Sequence, residues 1–593
     1  MDRRRPGIAQ GLEFSARARQ RNIERLKEET FDILVIGGGV TGCGIARDAA
    51  MRGFSTALVE KEDFASGTSS KSSKLIHGGL RYLENFEFRL VFEASAERRR
   101  LRRLAPHLVK PLAFIFPVYR GGPRSFLKIQ AGMWLYDLLA AFRNIKMHRM
   151  LRPRDLVQLE PAIDRQDLVG GARFYDCAVD DARLTLATAQ SAARHGAAVA
   201  NHVEVLGLVK IADKVNGALV RDAIGGEEFP VRARVTINAT GPWGDTILRM
   251  DDPQGNPRLR PTKGVHILVR RDRVGNRNAV SFTAAQDRRL MFLIPWGHFA
   301  IIGTTDTDYS ESLDRVAVEA SDIAYILEAF NRAFRHLHLE ESDIVSAYAS
   351  LRPLVAEGVV SSYKVSREHS IVESPSGLLS IMGGKLTTYR VMAKQTVDVA
   401  QRRLEREFGV TAARGCETDR HPLEGGARSG LHARIAREAD AACRELDLGE
   451  EVGEHLLSAY GANYGQVLKR LGQDRRLAEP LAPGLPYLKA ELPHAVEHEM
   501  ALSISDFLMR RTRIFLEDQD QGLGLAEEVA AAMGDYLNWT QEERARQLDR
   551  YAQQVALSRQ YRQASQCPSK KTDSKGDDAG PASIFRREPM EER

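Results

Sequence analysis

The stretch from residue 31 to residue 60 constrains this chain most, because its order of apolar, glycine and acidic positions fits one supersecondary unit. Ile33-Leu34-Val35-Ile36 is a continuous apolar run suited to a buried parallel strand, and it feeds into Gly37-Gly38-Gly39-Val40-Thr41-Gly42. Gly37 suits the tight turn, Gly39 a close approach of backbone to a pyrophosphate, and Gly42 a close packing of helix on strand. A helix starting near Val40 would aim its unpaired N–H groups and positive dipole end at phosphates. A second strand, residues 55 to 60, ends in Glu60, where a carboxylate would accept hydrogen bonds from both ribose hydroxyls. Preceding strand, following helix, third-glycine spacing and the acid agree, so the unit reads as a dinucleotide-binding βαβ.

That fingerprint is shared by NAD and FAD domains. The next segment, Asp63 to Tyr82, is small, hydroxyl-rich and glycine-rich where an NAD domain would continue with a plain βα unit. Its composition alone also fits a flexible surface loop. The residue order decides between them. SSKLIHGGLRYLE resembles the aerobic, FAD-dependent glycerol-3-phosphate dehydrogenases, within the wider amino-acid-oxidase-like flavoprotein fold. The likeness recurs in order over roughly residues 30 to 555: FEFRLVFEASAERRRLRRLAPHLV, YDCAVDDARL, NATGPW, PTKGVHILV, IPWGHFAIIGTTDTDY, SLRPL and LLSIMGGKLTTYR. One departure is Val265, where the family usually carries a small hydroxyl residue before His266.

The resemblance implies an α/β protein: a Rossmann-like FAD-binding domain with an interleaved, mostly antiparallel substrate domain (residues 30–410), then an all-helical cap (411–560). A basic leader (1–29) would precede them and a disordered tail (561–593), polar and poor in apolar residues, would follow. Alternating runs at 265–269 and 299–303 suit strands of the substrate domain. After Cys416, LHARIAREADAACREL, EEVGEHLLSAYG, AVEHEMALSISDFLMRRTRI and AEEVAAAMGDYLNW carry helical periodicity. Glu499, Asp506, Arg510 and Arg511 fit the family's cap pattern. The FAD contacts implied are Gly37, Gly39, Gly42, Glu60, Ser69, Ser70, Ser73, Lys74, Leu75, His77, Val203, Thr240, Gly241, Trp243, Gly383, Gly384, Leu386 and Thr387.

Oxidising a phosphorylated secondary alcohol requires cations for the phosphate, an acceptor for the hydroxyl proton and a flavin for the carbinol hydrogen. Arg81, Arg352, Arg367 and Lys385 lie in matching motifs and are expected to converge on the flavin's face, with Tyr82 and Tyr389 as weaker candidates for polar contacts beside them. His266 is expected as the base because an imidazole titrating near neutrality can take a proton, with His77 as competitor. Arg352 and Lys385 would assist the chemistry. The expected reaction is glycerol 3-phosphate to dihydroxyacetone phosphate, with electrons passing to a membrane quinone; oxygen, as in the related oxidases, is the rival acceptor.

Bulk properties narrow the setting. At 593 residues the chain is too long for one core. Five scattered cysteines without CxxC spacing, and no HExxH, argue against disulfides and metal, and for a reducing cytoplasm. No apolar run reaches the roughly 20 residues that span a bilayer. Residues 131–142 (AGMWLYDLLAAF) are flanked by Arg143, Lys146, Arg149, Arg152 and Arg154, and Arg98, Arg99, Arg100, Arg102 and Arg103 cluster nearby. These read either as solvated basic faces or as an anionic-membrane attachment with Met133, Trp134 and Leu135 as anchors, placing the protein on the cytoplasmic face of the inner membrane. A homodimer is compatible with the resemblance. An FAD-containing RNA-binding protein is the rival that the basic clusters raise; they lack the interleaved aromatics of a stacking surface, so nucleic acid is not expected.

Overall fold

The computed structural model describes residues 14–79, 83, 87–356, 369–427 and 431–566. Helix α1 (Ala16–Glu28) leads into strand β1 (Thr30–Ile36), helix α2 (Val40–Met51) and strand β2 (Thr56–Val59). The stretch expected as a leader is therefore partly built into the first domain. Ser15 caps α1, Ile23 and Leu26 are buried under it, and Arg19 pairs with Asp222 at 2.5 Å.

The apolar run of β1 is central in the first sheet, between Glu228–Asn238 and β2, both parallel to it. Leu379–Gly383 and Ala198–Ala200 extend the parallel core on either side, and an antiparallel hairpin, Val203–Ile211 with Lys214–Asp222, hangs from Glu228–Asn238. Strands buried on both faces need apolar side chains throughout, which is why Ile33 to Ile36 do not alternate. Ligands in such sheets bind beyond the carboxyl ends of the strands.

The chain leaves this sheet to build a second one of ten mostly antiparallel strands. Leu259–Arg270 lies between Phe299–Gly303 and Ile344–Val355, and Val109–Tyr119 pairs with Leu168–Val179. The strands expected around 265–269 and 299–303 are both present. Helices α3 (Phe88–Leu104) and α4 (Phe126–Leu139) cover one side of it. The interleaved two-domain fold read from the motif order is observed.

Helices build most of residues 431–566, as expected for the cap, but the last one, Gln541–Gln566, runs on into the stretch expected as a disordered tail, and there is one further difference. AVEHEMALSISDFLMRRTRI is not one helix: Glu491–His498 stops, Met500 takes a positive φ of 53°, and Ser503 and Asp506 form a capping box that starts a new turn. A helical period in sequence cannot show this break, because the apolar spacing continues through Met500 to Ser503 while the backbone turns and is capped anew by Ser503 and Asp506.

Candidate active site

The glycine turn holds its expected place. Gly37 has φ +110°, and a Cβ there would lie 2.7 Å from the Ala239 carbonyl oxygen. A Cβ on Gly42 would fall 1.9 Å from the Gly37 carbonyl oxygen, so this glycine serves the turn before it serves helix–sheet packing. Gly39 differs from both. The nearest atom to a Cβ there is Ser69 Oγ at 3.2 Å, so the protein leaves the space beside Gly39 open, as a cradle for a bulky ligand requires. Glu60 sits across the turn with each oxygen oriented by a backbone N–H, from Gly38 at 2.6 Å and Glu62 at 2.9 Å. Burial raises its pKa, and the two N–H donors oppose that shift.

These residues open onto a cavity of about 590 Å³, within the roughly 300–1,000 Å³ common for cofactor sites. Gly37, Gly39, Glu60, Ser69, Val203, Thr240, Gly241 and Trp243 line it together with Gly383, Gly384 and Leu386. The loop that follows β2 thus contributes to its wall, and the open cradle, fixed carboxylate and volume fit FAD. Gly383 and Gly384 have φ of +71° and +95°.

A second cavity of about 250 Å³ continues from there, sharing Thr68, Ser72, Pro353 and Gly383 to Leu386 with the first. His266, Arg352 and Lys385 line it, as do Ser73, Leu75, His77 and Thr387. The Thr387 hydroxyl accepts a hydrogen bond from the His77 N–H at 3.2 Å. Arg352 faces Thr262 across the sheet, and its guanidinium spans Asp306 and Thr304, both at 3.0 Å. Lys71 and Arg289, which the sequence did not single out, line the same cavity, and burial lowers the Lys71 pKa. Arg81, Tyr82 and Arg367 lie outside the described residues.

Four expectations change. Lys74 does not line either cavity: it is buried and its Nζ reaches Asp181 at 2.6 Å and the Ser70 carbonyl at 3.0 Å. It braces the loop from beneath, and Ser70 accepts its bond rather than facing the cofactor space. Tyr389 is fully buried, packs over Gly44 and has its hydroxyl 3.3 Å from that of Thr188, so it belongs to the core. His266 does not titrate near neutrality. Burial, then the charges of Arg352 and Lys74, lower its pKa to about 3. Its ring stacks on Tyr348 at 5.0 Å, its Nε2 shares a 2.9 Å hydrogen bond with Ser73 Oγ, and its buried Nδ1 has no partner among the described residues. The imidazole is held neutral and in one orientation.

Asp181 and Asp63, both fully buried, are the supports that local sequence could not reveal. Asp181 accepts from Ser72, through both N–H and hydroxyl, as well as from Lys74. Asp63 accepts from Arg510 at 2.6 Å and from Arg511 at 2.6 and 3.0 Å, tying the segment after Glu60 to the helical domain. Their partners are distant in sequence, so spacing carries no trace of them.

Comparison with known proteins identifies the family. A family described as FAD dependent oxidoreductase matches residues 32–390, and the C-terminal domain of alpha-glycerophosphate oxidase matches residues 416–544. The chain is 41% identical over 534 residues to a glycerol-3-phosphate dehydrogenase of Mycobacterium leprae, covering 90% of this chain and 89% of that protein. It is 35% identical to the aerobic glycerol-3-phosphate dehydrogenase of Staphylococcus haemolyticus, over 88% of this chain and 93% of the relative. The structure of the Bacillus halodurans glycerol-3-phosphate dehydrogenase complexed with FAD superposes with a TM-score of 0.77 at 33% identity, covering 92% of this chain and 98% of the other. Cofactor cradle, cationic chamber and sequence kinship converge: the chain belongs to the FAD-dependent glycerol-3-phosphate dehydrogenase family.

Proposed function

We propose that this protein oxidises sn-glycerol 3-phosphate to dihydroxyacetone phosphate and passes the electrons to a membrane quinone while lying on the cytoplasmic face of the inner membrane. The chamber carries this reading: Lys71, Arg289, Arg352 and Lys385 surround a space continuous with the cradle that fits FAD. A planar guanidinium fixed by Asp306 and Thr304 can hold phosphate oxygens in pairs without reorganising.

Bound FAD supplies the acceptor for the carbinol hydride. His266 orients the substrate hydroxyl and accepts its proton as the hydride departs. A conjugate acid with a pKa of about 3 is a poor match for an isolated alcohol. The phosphate's negative charge, placed in the same chamber, offsets Arg352 and Lys74 and raises that basicity. Tyr348 and Ser73 keep the ring in place throughout.

The membrane reading rests on α4. No helix among the described residues is long and apolar enough to cross a membrane. Leu127, Trp134 and Leu138 lie on one face of α4 and are 75%, 53% and 57% exposed, with Phe142 continuing the patch and Lys128, Arg143, Lys146 and Arg149 exposed around it. Met133 is buried in the core and does not serve as an anchor, and Leu135 is half-buried. Asp137, the misplaced charge of the sequence pattern, points inward and holds His148 and Asn144. The second basic cluster also divides: Arg98 is buried against Asp176, which takes it out of any nucleic-acid surface.

The test is anaerobic mixing of the FAD-loaded protein with glycerol 3-phosphate, followed by addition of menadione or air. Flavin bleaching by the substrate and recolouring by the quinone, faster than by oxygen, is the expected sequence. Absence of bleaching removes the substrate, and recolouring only by air with peroxide release replaces the quinone by oxygen.

A further inference from the structure

Part of the cofactor cavity is lined by a segment of the other domain. Residues 309–317 connect the short strand Thr307–Asp308 of the second sheet to the helix Ala320–Ala333, with neither helix nor strand of their own. Glu311, Ser312, Leu313 and Asp314 line the cavity together with Glu60 and Lys61, while Glu311, Ser312 and Asp314 are also exposed to solvent. A segment that meets both the cavity and bulk water stands between them. Its two ends are fixed. The Tyr309 N–H donates to the Pro261 carbonyl at 3.0 Å, and the Val318 N–H donates to the Leu557 carbonyl at 3.1 Å.

Between those ends, one side chain ties the segment to the FAD-binding domain. Asp314 pairs with Lys61 and accepts a hydrogen bond from the Trp243 indole N–H at 2.9 Å. Among the described residues, no other member of 309–317 hydrogen-bonds to that domain. The Lys61 ammonium lies 4.4 Å from the centre of the Trp243 ring, so the three side chains close a triangle. Lys61 follows Glu60 directly and Trp243 ends the NATGPW motif, which places the triangle on two segments of the cofactor site. The Lys61 and Asp314 side chains are 32% and 59% exposed, and an ion pair so placed is screened and weak. By contrast, β1 is held to β2 and to Glu228–Asn238 by continuous ladders. An irregular segment fixed at its ends and by one solvent-exposed contact between them opens locally at low cost.

We propose that residues 309–317 form a strap that opens to admit FAD and closes over it, with Asp314 as its latch on Lys61 and Trp243. The motion is confined to the strap. Thr307 and Asp308 remain paired with Lys263 and Thr262, and the Asp308 carboxylate is bound to Arg260 at 2.6 Å. Thr304 and Asp306, which hold Arg352, lie on the far side of that pairing. The strap can therefore swing without dismantling the cation that faces the substrate. Trp243, expected as a cofactor contact, has a second task here, because its N–H is committed to the latch.

The rates of FAD release from the loaded full-length protein and of FAD uptake by the depleted one test this, both followed by flavin fluorescence. A latch that holds the strap shut slows both directions. Asp314→Ala and Lys61→Met should therefore quicken release and uptake alike, each by about 10-fold, as expected of one charge-assisted hydrogen bond discounted for exposure. The Kd for FAD should move by less than about 3-fold, and the double variant should stay within about 2-fold of Asp314→Ala, since both changes remove one contact. Asp314→Asn keeps an acceptor for the indole and loses the charge, so its rates should fall between wild type and Asp314→Ala, an order that general unfolding does not produce. Wild-type release should quicken with salt, and Asp314→Ala should lose that dependence in part. Faster release with unchanged uptake makes Asp314 a static contact and overturns the strap. Wild-type rates in both single variants overturn the latch.

Discussion

At the scale of single residues, the environment decides what a side chain can do, and Gly39 is the clearest case. Only Ser69 Oγ approaches the space a Cβ would take, so Gly39→Val should fold and yet block the pyrophosphate. The purified variant is expected to be colourless, by absorbance at the flavin bands. Arg352→Lys keeps the charge and loses the planar fork, so KM for glycerol 3-phosphate should rise by about 10- to 100-fold, on the order of 1.5–3 kcal/mol for a charged hydrogen bond, with FAD content unchanged. His266 gives a prediction in pH. Its folded pKa of about 3 lies below the ordinary 6.5, so between those values the unfolded chain binds a proton that the folded protein refuses. Its contribution to stability therefore rises with pH up to about 6.5 and is flat above. In the free protein the ring is neutral above pH 5, so His266→Asn should lower the second-order rate constant of flavin reduction at low glycerol 3-phosphate, which reports the free protein, without changing the shape of its pH profile, as stopped-flow absorbance can show.

At the scale of elements, α4 shows how one helix serves two surroundings. Its inward positions, Ile129, Met133 and Tyr136, are core, while the outward row at 127, 134 and 138 stays apolar where solvent would favour polar groups. Trp134→Glu combined with Arg149→Glu should release the protein from anionic vesicles in a sedimentation assay, with dye-linked activity retained because neither residue lines the chamber. Wild-type binding should weaken with salt but persist, since screening acts on the basic rim and leaves apolar burial untouched. Complete sedimentation of the double variant would move the anchor elsewhere.

At the scale of the whole molecule, the helical domain holds the nucleotide's walls in place. Glu60 is anchored to Ala200, and His202 and Val203 donate their N–H groups to Glu62 and Glu60, so two loops form one rim. Asp63 follows Glu62 on one of them, and His202 precedes Val203 on the other. Asp63 is held by Arg510 and Arg511, and His202 by Asp506 at 3.0 Å. Removing one member of such a buried set typically costs about 3–5 kcal/mol. Arg511→Met should therefore release FAD, followed by its fluorescence, at a lower temperature than the loss of helical circular dichroism. Coincident transitions at the wild-type temperature would mean that the clasp is not what retains the cofactor.

Local pattern in the sequence carries the dinucleotide unit, the interleaved two-sheet plan and two of the four cations that line the chamber, Arg352 and Lys385, because each rests on one strand, turn or motif. Gly37 to Gly42 and Glu60 fall within a single βαβ, and their spacing is dictated by its geometry. Tertiary structure alone decided the rest. It turned Lys74 under its loop toward Asp181, buried Tyr389 and Met133, set Lys71 and Arg289 into the chamber, and drove His266 far from neutrality. Burial, the direction of a side chain within its element and the field of charges from distant segments depend on which surfaces meet, and no spacing along one strand encodes that meeting.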